Sequence, residues 1–115
     1  MGVMTDHIPF CALNLIAQTA CADALEHGLW KGVTSNHPGE ERHACAVLVR
    51  DEAEEAMLAA EDRGHYAEEL ADVVIMALSS AGYLGIDIAE EVKRKMIINK
   101  GRPYLHGKED TDENA

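Results

Sequence analysis

Four acidic residues in the middle of the sequence are spaced as metal ligands on helices would be. Glu52 and Glu55 are three residues apart, and Glu69 and Asp72 repeat this spacing after thirteen intervening residues. Residues three apart lie on one face of a helix. Each pair therefore predicts two carboxylates that project from the same side of a helix.

Convergence of the two pairs would create a site for a hard cation. Asp72 directly precedes the apolar run 73–78, so converging carboxylates here would lose solvation as well as repel one another. The cost would be several kcal/mol per charge unless a cation neutralised them. Oxygen ligands favour Mg²⁺ or Mn²⁺, and such sites commonly hold phosphates. A di-iron bundle would need Glu-x-x-His motifs, whereas Glu55 and Asp72 occupy those positions. A solvated acidic helix face is the structural alternative.

A cationic edge follows further along the chain. Lys95 and Asn99 are one helical turn apart, and Arg102 comes shortly after them. Such side chains bind phosphate oxygens well. Cations near a helix C-terminus also interact favourably with the helix dipole, so the residues alone leave both interpretations open.

The elements that must position these residues are helices. Aromatic residues make up only 4% of the chain, and the abundance of Ala, Leu and Glu favours helix over sheet. Asp87, with Glu90 three residues later, predicts a capping box. The glycines and proline of 31–39 predict a loop that could form a lid or rim. Apolar spacing predicts four helices, at 9–28, 40–62, 65–84 and 88–100, with a short turn between the second and the third.

One stretch of the predicted third helix points to self-association. Residues 73–78 are apolar on every side, and a four-helix monomer of this length would leave one side uncovered. We therefore expect an all-α four-helix bundle completed by homo-oligomerisation. We expect one domain over 1–106 and an acidic mobile tail over 107–115.

The overall charge limits the classes of partner. The chain has 21 acidic and 10 basic residues and a net charge of −11, which argues against a nucleic-acid-binding surface. No apolar segment reaches the roughly 18 residues of a membrane span, and the apolar N-terminal run lacks a basic flank typical of an export signal. The expected location is cytoplasmic, without a membrane partner.

The acidic motif resembles the signature of a known family. The motif of the MazG-like all-α NTP pyrophosphatases is similar to two segments of this sequence. They are Glu52-x-x-Glu55 and, after thirteen intervening residues, Glu69-x-x-Asp72 within Glu-Glu-Leu-Ala-Asp-Val. Residues 95–108 look like the C-terminal motif of the small members, often from phages or mobile elements. Together these motifs cover about half of the chain, and His27-Gly-Leu-Trp30 resembles the end of the family's first helix.

The resemblance implies hydrolysis of a ribo- or deoxyribonucleoside triphosphate to a monophosphate and pyrophosphate, by a dimer or a dimer of dimers. It implies Mg²⁺, with Mn²⁺ as an alternative, bound by the four carboxylates and activating a water for in-line attack on the α phosphorus. Either Glu52 or Glu55 would act as general base. The leaving pyrophosphate would be held by Lys95, Asn99 and Arg102.

Several further residues are candidates for contacts with the base or the rim of the site, namely Trp30, His27, Tyr104, His106 and Lys108. A lone tryptophan more often anchors the edge of a core than it stacks on a base.

By family analogy the expected role is control of the nucleotide pool. Two alternatives are a non-catalytic acidic helical adaptor or nucleotide sensor, and a phosphoribosyl-ATP pyrophosphohydrolase with the same fold.

Overall fold

The computed structural model describes residues 8–102, and within that range the chain is all-helical and contains no strand. The five helices of the described range are α1 (Cys11–Glu26), α2 (Leu29–Asn36), α3 (Glu41–Leu58), α4 (Arg63–Leu84) and α5 (Ile88–Lys100). Helix α4 makes extensive contacts with both α1 and α3, while α5 packs against α1 and the short α2 lies between α1 and α3.

Helix α2 corrects the prediction of four helices and of a loop over 31–39. Gly28 adopts a positive φ of 80°, which ends α1 and redirects the chain. Trp30 and Val33 then lie three residues apart, and both are buried. Burial of these side chains against the other helices outweighs the loop-forming composition of the segment, because tertiary packing routinely overrides local propensity.

The turn between α3 and α4 sets up the helix pair that carries the acidic motif. Helix α3 ends at Leu58, earlier than the predicted end at residue 62, because Asp62 caps the next helix. One oxygen of the Asp62 carboxylate accepts the backbone N–H groups of Gly64 at 3.1 Å and of His65 at 3.2 Å. Such a side-chain cap satisfies amides that lack partners within the helix. The short turn places α3 and α4 side by side.

The start of α5 is held by side chains from two helices. Asp87 is the N-cap, as predicted, and its Oδ1 accepts the backbone N–H of Glu90 at 3.1 Å. Asn14 on α1 donates from Nδ2 to the same Asp87 oxygen at 2.9 Å, and its own Oδ1 accepts the N–H of Ala89 at 2.9 Å. Helix α1 therefore fixes where α5 begins.

The core lies where α1, α2, α3 and α4 meet. The ring of Trp30 stacks on Tyr83, with centroids 4.3 Å apart and planes 11° from parallel. The indole Nε1 donates to the carbonyl oxygen of Cys21 at 3.0 Å. Val33, Ala44 and Cys45 complete the buried cluster, and burial raises the pKa of the Cys45 thiol.

Helices α1 and α4 are in close contact at Gly82. A Cβ atom at this position would lie 2.7 Å from the carbonyl oxygen of Ala17 and 2.9 Å from the Cβ of Cys21. Both distances are well inside van der Waals contact. Glycine is therefore required for this helix crossing.

Large apolar side chains remain exposed along one side of α4. Tyr66, Leu70 and Val74 follow one another at helical spacing with exposed fractions of 37, 42 and 55%. Together with Met57 of α3 they form the surface that we call the α3–α4 apolar face, where a depression of about 370 Å³ lies. None of the described helices combines the length and the apolar character needed to cross a bilayer.

Candidate metal and active site

Three of the four predicted metal ligands come together between α3 and α4. Glu52 of α3 and Glu69 and Asp72 of α4 each offer one carboxylate oxygen, and these oxygens all lie within 4.8 Å of one another. The spacing of three residues places Glu69 and Asp72 on one face of α4, and the packing of α3 beside α4 adds Glu52. We call these three residues the carboxylate triad.

The environment of Glu69 suits a cation. Its side chain is only 17% exposed, and its Oε1 atom is buried without a hydrogen-bond partner. A buried carboxylate oxygen without a partner is costly because it has lost its hydration. Its Oε2 atom lies 3.3 Å from Nε2 of His65. A divalent ion at the triad would supply the partner that Oε1 lacks.

Mutual repulsion within the site is evident at Glu52. Burial raises the pKa of Glu52 above its ordinary value, and the nearby charges of Glu55, Asp72 and Glu69 raise it further. Glu55 is thus close enough to interact with Glu52, although it is exposed and stands outside the triad. Oxygen-only donors under repulsion fit a hard ion such as Mg²⁺ or Mn²⁺, and the set contains no sulfur or nitrogen that would favour zinc.

The predicted phosphate-binding residues lie on α5 or just after it, outside the helix pair that forms the triad. Lys95 and Arg102 are exposed and Asn99 is partly buried. Helix α5 packs mainly against α1, whereas the triad lies between α3 and α4. Among residues 8–102, no ion pair joins Lys95 or Arg102 to the triad. Their role in binding pyrophosphate stays a prediction.

The candidates for base contact divide into two groups. Trp30 is 4% exposed and stacked on Tyr83, so in this structure it serves as a core side chain. His27 is exposed next to the end of α1, where its Nδ1 lies 2.8 Å from the carbonyl oxygen of Asp23. The remaining candidates, Tyr104, His106 and Lys108, lie outside the described residues, as does the segment 107–115.

A cavity that the sequence analysis did not anticipate lies between α2 and α3. It has a volume of about 280 Å³, with Gly32 and Leu48 in its walls and the polar side chains of Asn36 and His37 among its lining. Leu48 precedes Glu52 by four residues, so the cavity begins one helical turn from the triad. It was missed because its α2 wall was predicted to be loop.

His65 is a second residue that sequence reasoning missed. It precedes Glu69 by four residues, which is the spacing of side-chain neighbours on a helix, and this spacing was the available signal.

A wider cleft of about 820 Å³ lies beside Glu41 and Arg42, at the opposite end of α3 from the turn that leads into α4. The triad, by contrast, is formed nearer that turn.

Comparison with known proteins gives one informative similarity. The chain is 36% identical over 69 residues to a protein of Cyanophage S-2L named dATP/dGTP diphosphohydrolase. The match covers 59% of this chain and 66% of that protein, so the chain spans slightly less than two thirds of its relative. No protein-family model matches the chain. No solved structure matches it.

Proposed function

We propose that this protein is a metal-dependent pyrophosphohydrolase of MazG-like kind, which converts nucleoside or deoxynucleoside triphosphates to monophosphates and pyrophosphate. The observation that carries the proposal is the carboxylate triad, with three oxygens within 4.8 Å and a buried, unpartnered oxygen on Glu69. The name of the cyanophage relative supports a purine deoxynucleoside triphosphate as substrate. Control of the nucleotide pool is the role that we propose by analogy.

In this proposal Glu52, Glu69 and Asp72 hold Mg²⁺ or Mn²⁺, and Glu55 stands beside them. A bound divalent ion would supply charge neutralisation on the phosphate oxygens and a more acidic bound water. Since the chain carries a net charge of −11, a free triphosphate would otherwise be repelled from this surface.

Glu55 is the better candidate for the general base. It lies on the same face of α3 as Glu52 but outside the triad, so its carboxylate is free to accept a proton from the attacking water. Its charge is near enough to raise the pKa of Glu52, which places it at the edge of the same site. A general base must lie within hydrogen-bond reach of the proton that it takes.

The leaving pyrophosphate is assigned to Lys95 and Asn99 on α5 and to Arg102 just after it, in the same chain or in a second copy. The apolar face of α3 and α4 supports a homo-oligomer, either a dimer or a dimer of dimers, because large exposed apolar patches mark interaction surfaces. In such an assembly, residues that are distant within one chain can meet across subunits.

We assign the nucleobase to the cavity between α2 and α3. Its apolar wall at Leu48 would cover the face of the ring, while Asn36 and His37 offer hydrogen bonds to its edge. The cavity begins one turn of α3 from Glu52, so a single substrate could contact both places. This assignment gives α2 a functional role.

Pyrophosphate release tests the proposed activity. A panel of the eight common ribo- and deoxyribonucleoside triphosphates would be assayed with Mg²⁺ or with EDTA. We expect release only with the metal. Replacing the base in Glu55→Gln should lower kcat by about 10²- to 10⁴-fold, whereas Glu54→Gln, which changes an exposed neighbour paired with Arg50 at 3.7 Å, should retain kcat.

Labelled water identifies the bond that breaks. Hydrolysis in ¹⁸O-water places the label in the monophosphate if water attacks the α phosphorus, and in pyrophosphate if it attacks the β phosphorus. Label found only in pyrophosphate would contradict the proposed attack. If no nucleotide released pyrophosphate while Mg²⁺ still bound, the nucleotide-sensor or adaptor alternative would replace the enzyme.

A further inference from the structure

His65 lies at the start of α4 with its backbone already fixed. Its N–H donates to the Asp62 carboxylate at 3.2 Å as part of the helix cap. Its side chain extends along the helix towards Glu69, and Nε2 reaches within 3.3 Å of Glu69 Oε2. The cap therefore anchors the residue whose ring contacts a member of the carboxylate triad.

The contact separates the roles of the two oxygens of Glu69. Oε2 faces the ring of His65, and Oε1 is buried without a partner. The terminal torsion of a glutamate side chain has broad, roughly two-fold preferences, so an unsupported carboxylate would sample many orientations. An N–H group held against Oε2 restricts that rotation, so the buried Oε1 keeps one orientation and stays available to a cation.

We propose that His65 is a positioning residue, whose Nε2–H holds Glu69 Oε2 so that Oε1 is preorganised to bind the divalent ion. The inference rests on the proposed function, because it assigns a partner to a ligand of the proposed metal. Groups that orient ligands in this way typically raise metal affinity by 10- to 100-fold. Either the Nε2–H tautomer or the imidazolium can donate, so the role does not depend on the charge of the ring.

A simple surface pair would behave differently. His65 is 54% exposed, and exposed pairs of this kind contribute little to folding stability. If the contact served only to stabilise the helix, its loss would leave metal affinity unchanged. Metal affinity measured without substrate therefore separates positioning from a structural role.

The experiment is calorimetric titration of Mn²⁺ into the nucleotide-free protein at constant pH. His65→Ala should weaken Mn²⁺ binding by about 10- to 100-fold, while its melting temperature in EDTA stays near that of the native protein. His65→Gln, whose amide N–H can still reach the carboxylate, should recover part of the lost affinity. The comparison variant is His43→Ala, which removes an exposed histidine near the start of α3. His43 lines the proposed base cavity and is not part of the triad, so in this nucleotide-free titration the variant should bind Mn²⁺ like the native protein.

Four results would overturn the proposal, and the last of them would overturn the proposed function as well. Native affinity in His65→Ala would show that the contact does not position the ligand, and equal losses in His65→Gln and His65→Ala would remove the donor role. Strong ¹⁴N couplings in the electron spin-echo spectrum of bound Mn²⁺, lost in His65→Ala, would make His65 a direct ligand. Failure of the native protein to bind Mn²⁺ would instead contradict the proposed function, and this inference with it.

Discussion

At the scale of single residues, the carboxylate triad is a local conflict within the folded chain. Burial and neighbouring negative charges both disfavour ionised Glu52, and Glu69 Oε1 has no compensating hydrogen bond. Strained or repulsive groups persist where function needs them, and their removal often stabilises the protein. The carboxylate triad should therefore lower the free energy of unfolding of the metal-free protein.

Glu52→Gln should separate stability from metal binding. Removing the charge relieves repulsion, so the variant should melt at a higher temperature than the native protein in EDTA. With Mg²⁺ at 100 times its Kd, the native protein should gain about 2.7 kcal/mol of unfolding free energy, and the variant should gain much less. Differential scanning calorimetry with and without Mg²⁺ measures both effects.

Glu54→Gln provides the comparison for this experiment, since it removes one negative charge from the same helix at an exposed position. It should keep the full response to Mg²⁺. A Glu52→Gln variant that melted below the native protein in EDTA would show that the triad is stabilised by contacts other than a metal.

At the scale of helices, the crossing of α1 and α4 depends on Gly82. Gly82→Ala would place a Cβ against the Ala17 carbonyl, and backbone cannot move as easily as a side chain. We expect the free energy of unfolding to fall by roughly 1–3 kcal/mol, the usual cost of overpacking. Urea denaturation measures this loss.

Gly32→Ala is the matched control, because a Cβ at Gly32 meets no atom within 4 Å. It replaces a helical glycine by the best helix former, so it should stabilise the protein by up to about 1 kcal/mol. Equal effects of the two alanines would mean that the α1–α4 crossing is looser than the structure describes.

Helix α2 can be tested as a wall of the base cavity. Gly32→Leu would fill the space that Gly32 leaves open, so we expect KM for the preferred nucleotide to rise by about tenfold or more, which corresponds to roughly 1.4 kcal/mol. Because the metal site is not altered, kcat should change little. Steady-state kinetics of Gly32→Leu beside Gly32→Ala tests this, and an unchanged KM in both would place the base elsewhere.

Comparison of the predicted with the observed helices shows which parts of the structure the sequence predicts. Apolar periodicity and caps such as Asp87 are local signals, and they predicted the helices that became α1, α3, α4 and α5. Helix α2 was not predicted, because burial of Trp30 and Val33 depends on contacts with residues distant in sequence. For the same reason, spacing could pair Glu69 with Asp72 but could not show that Glu55 would stand outside the triad.

At the scale of the whole molecule, the α3–α4 apolar face and the adjoining Ile75 leave large apolar side chains exposed. Val74 and Ile75 are 55 and 49% exposed, although both belong to the continuous apolar run 73–78. That a second subunit covers this run stays a prediction, since within the single chain Leu78 is buried whereas Val74 and Ile75 are exposed. An exposed face of this kind favours association.

Leu70→Glu should disrupt the proposed oligomer by placing a charge in the middle of this face. We expect the native protein to scatter light as a dimer or tetramer, and the variant to shift towards the monomer, because an unpaired buried charge is costly. Gln18→Glu, which adds the same charge at an exposed position on α1, should keep the native mass. A monomeric native protein would refute the covering argument.

The stack of Trp30 on Tyr83 has a practical consequence for observing the folding of this chain. Trp30 is the only tryptophan, its indole donates to α1 at Cys21, and Tyr83 of α4 is itself 2.7 Å from the Thr34 hydroxyl of α2. Separation of any of these three helices would change the polarity around the indole. Its fluorescence therefore reports the docking of α1, α2 and α4 as one event, without an introduced probe.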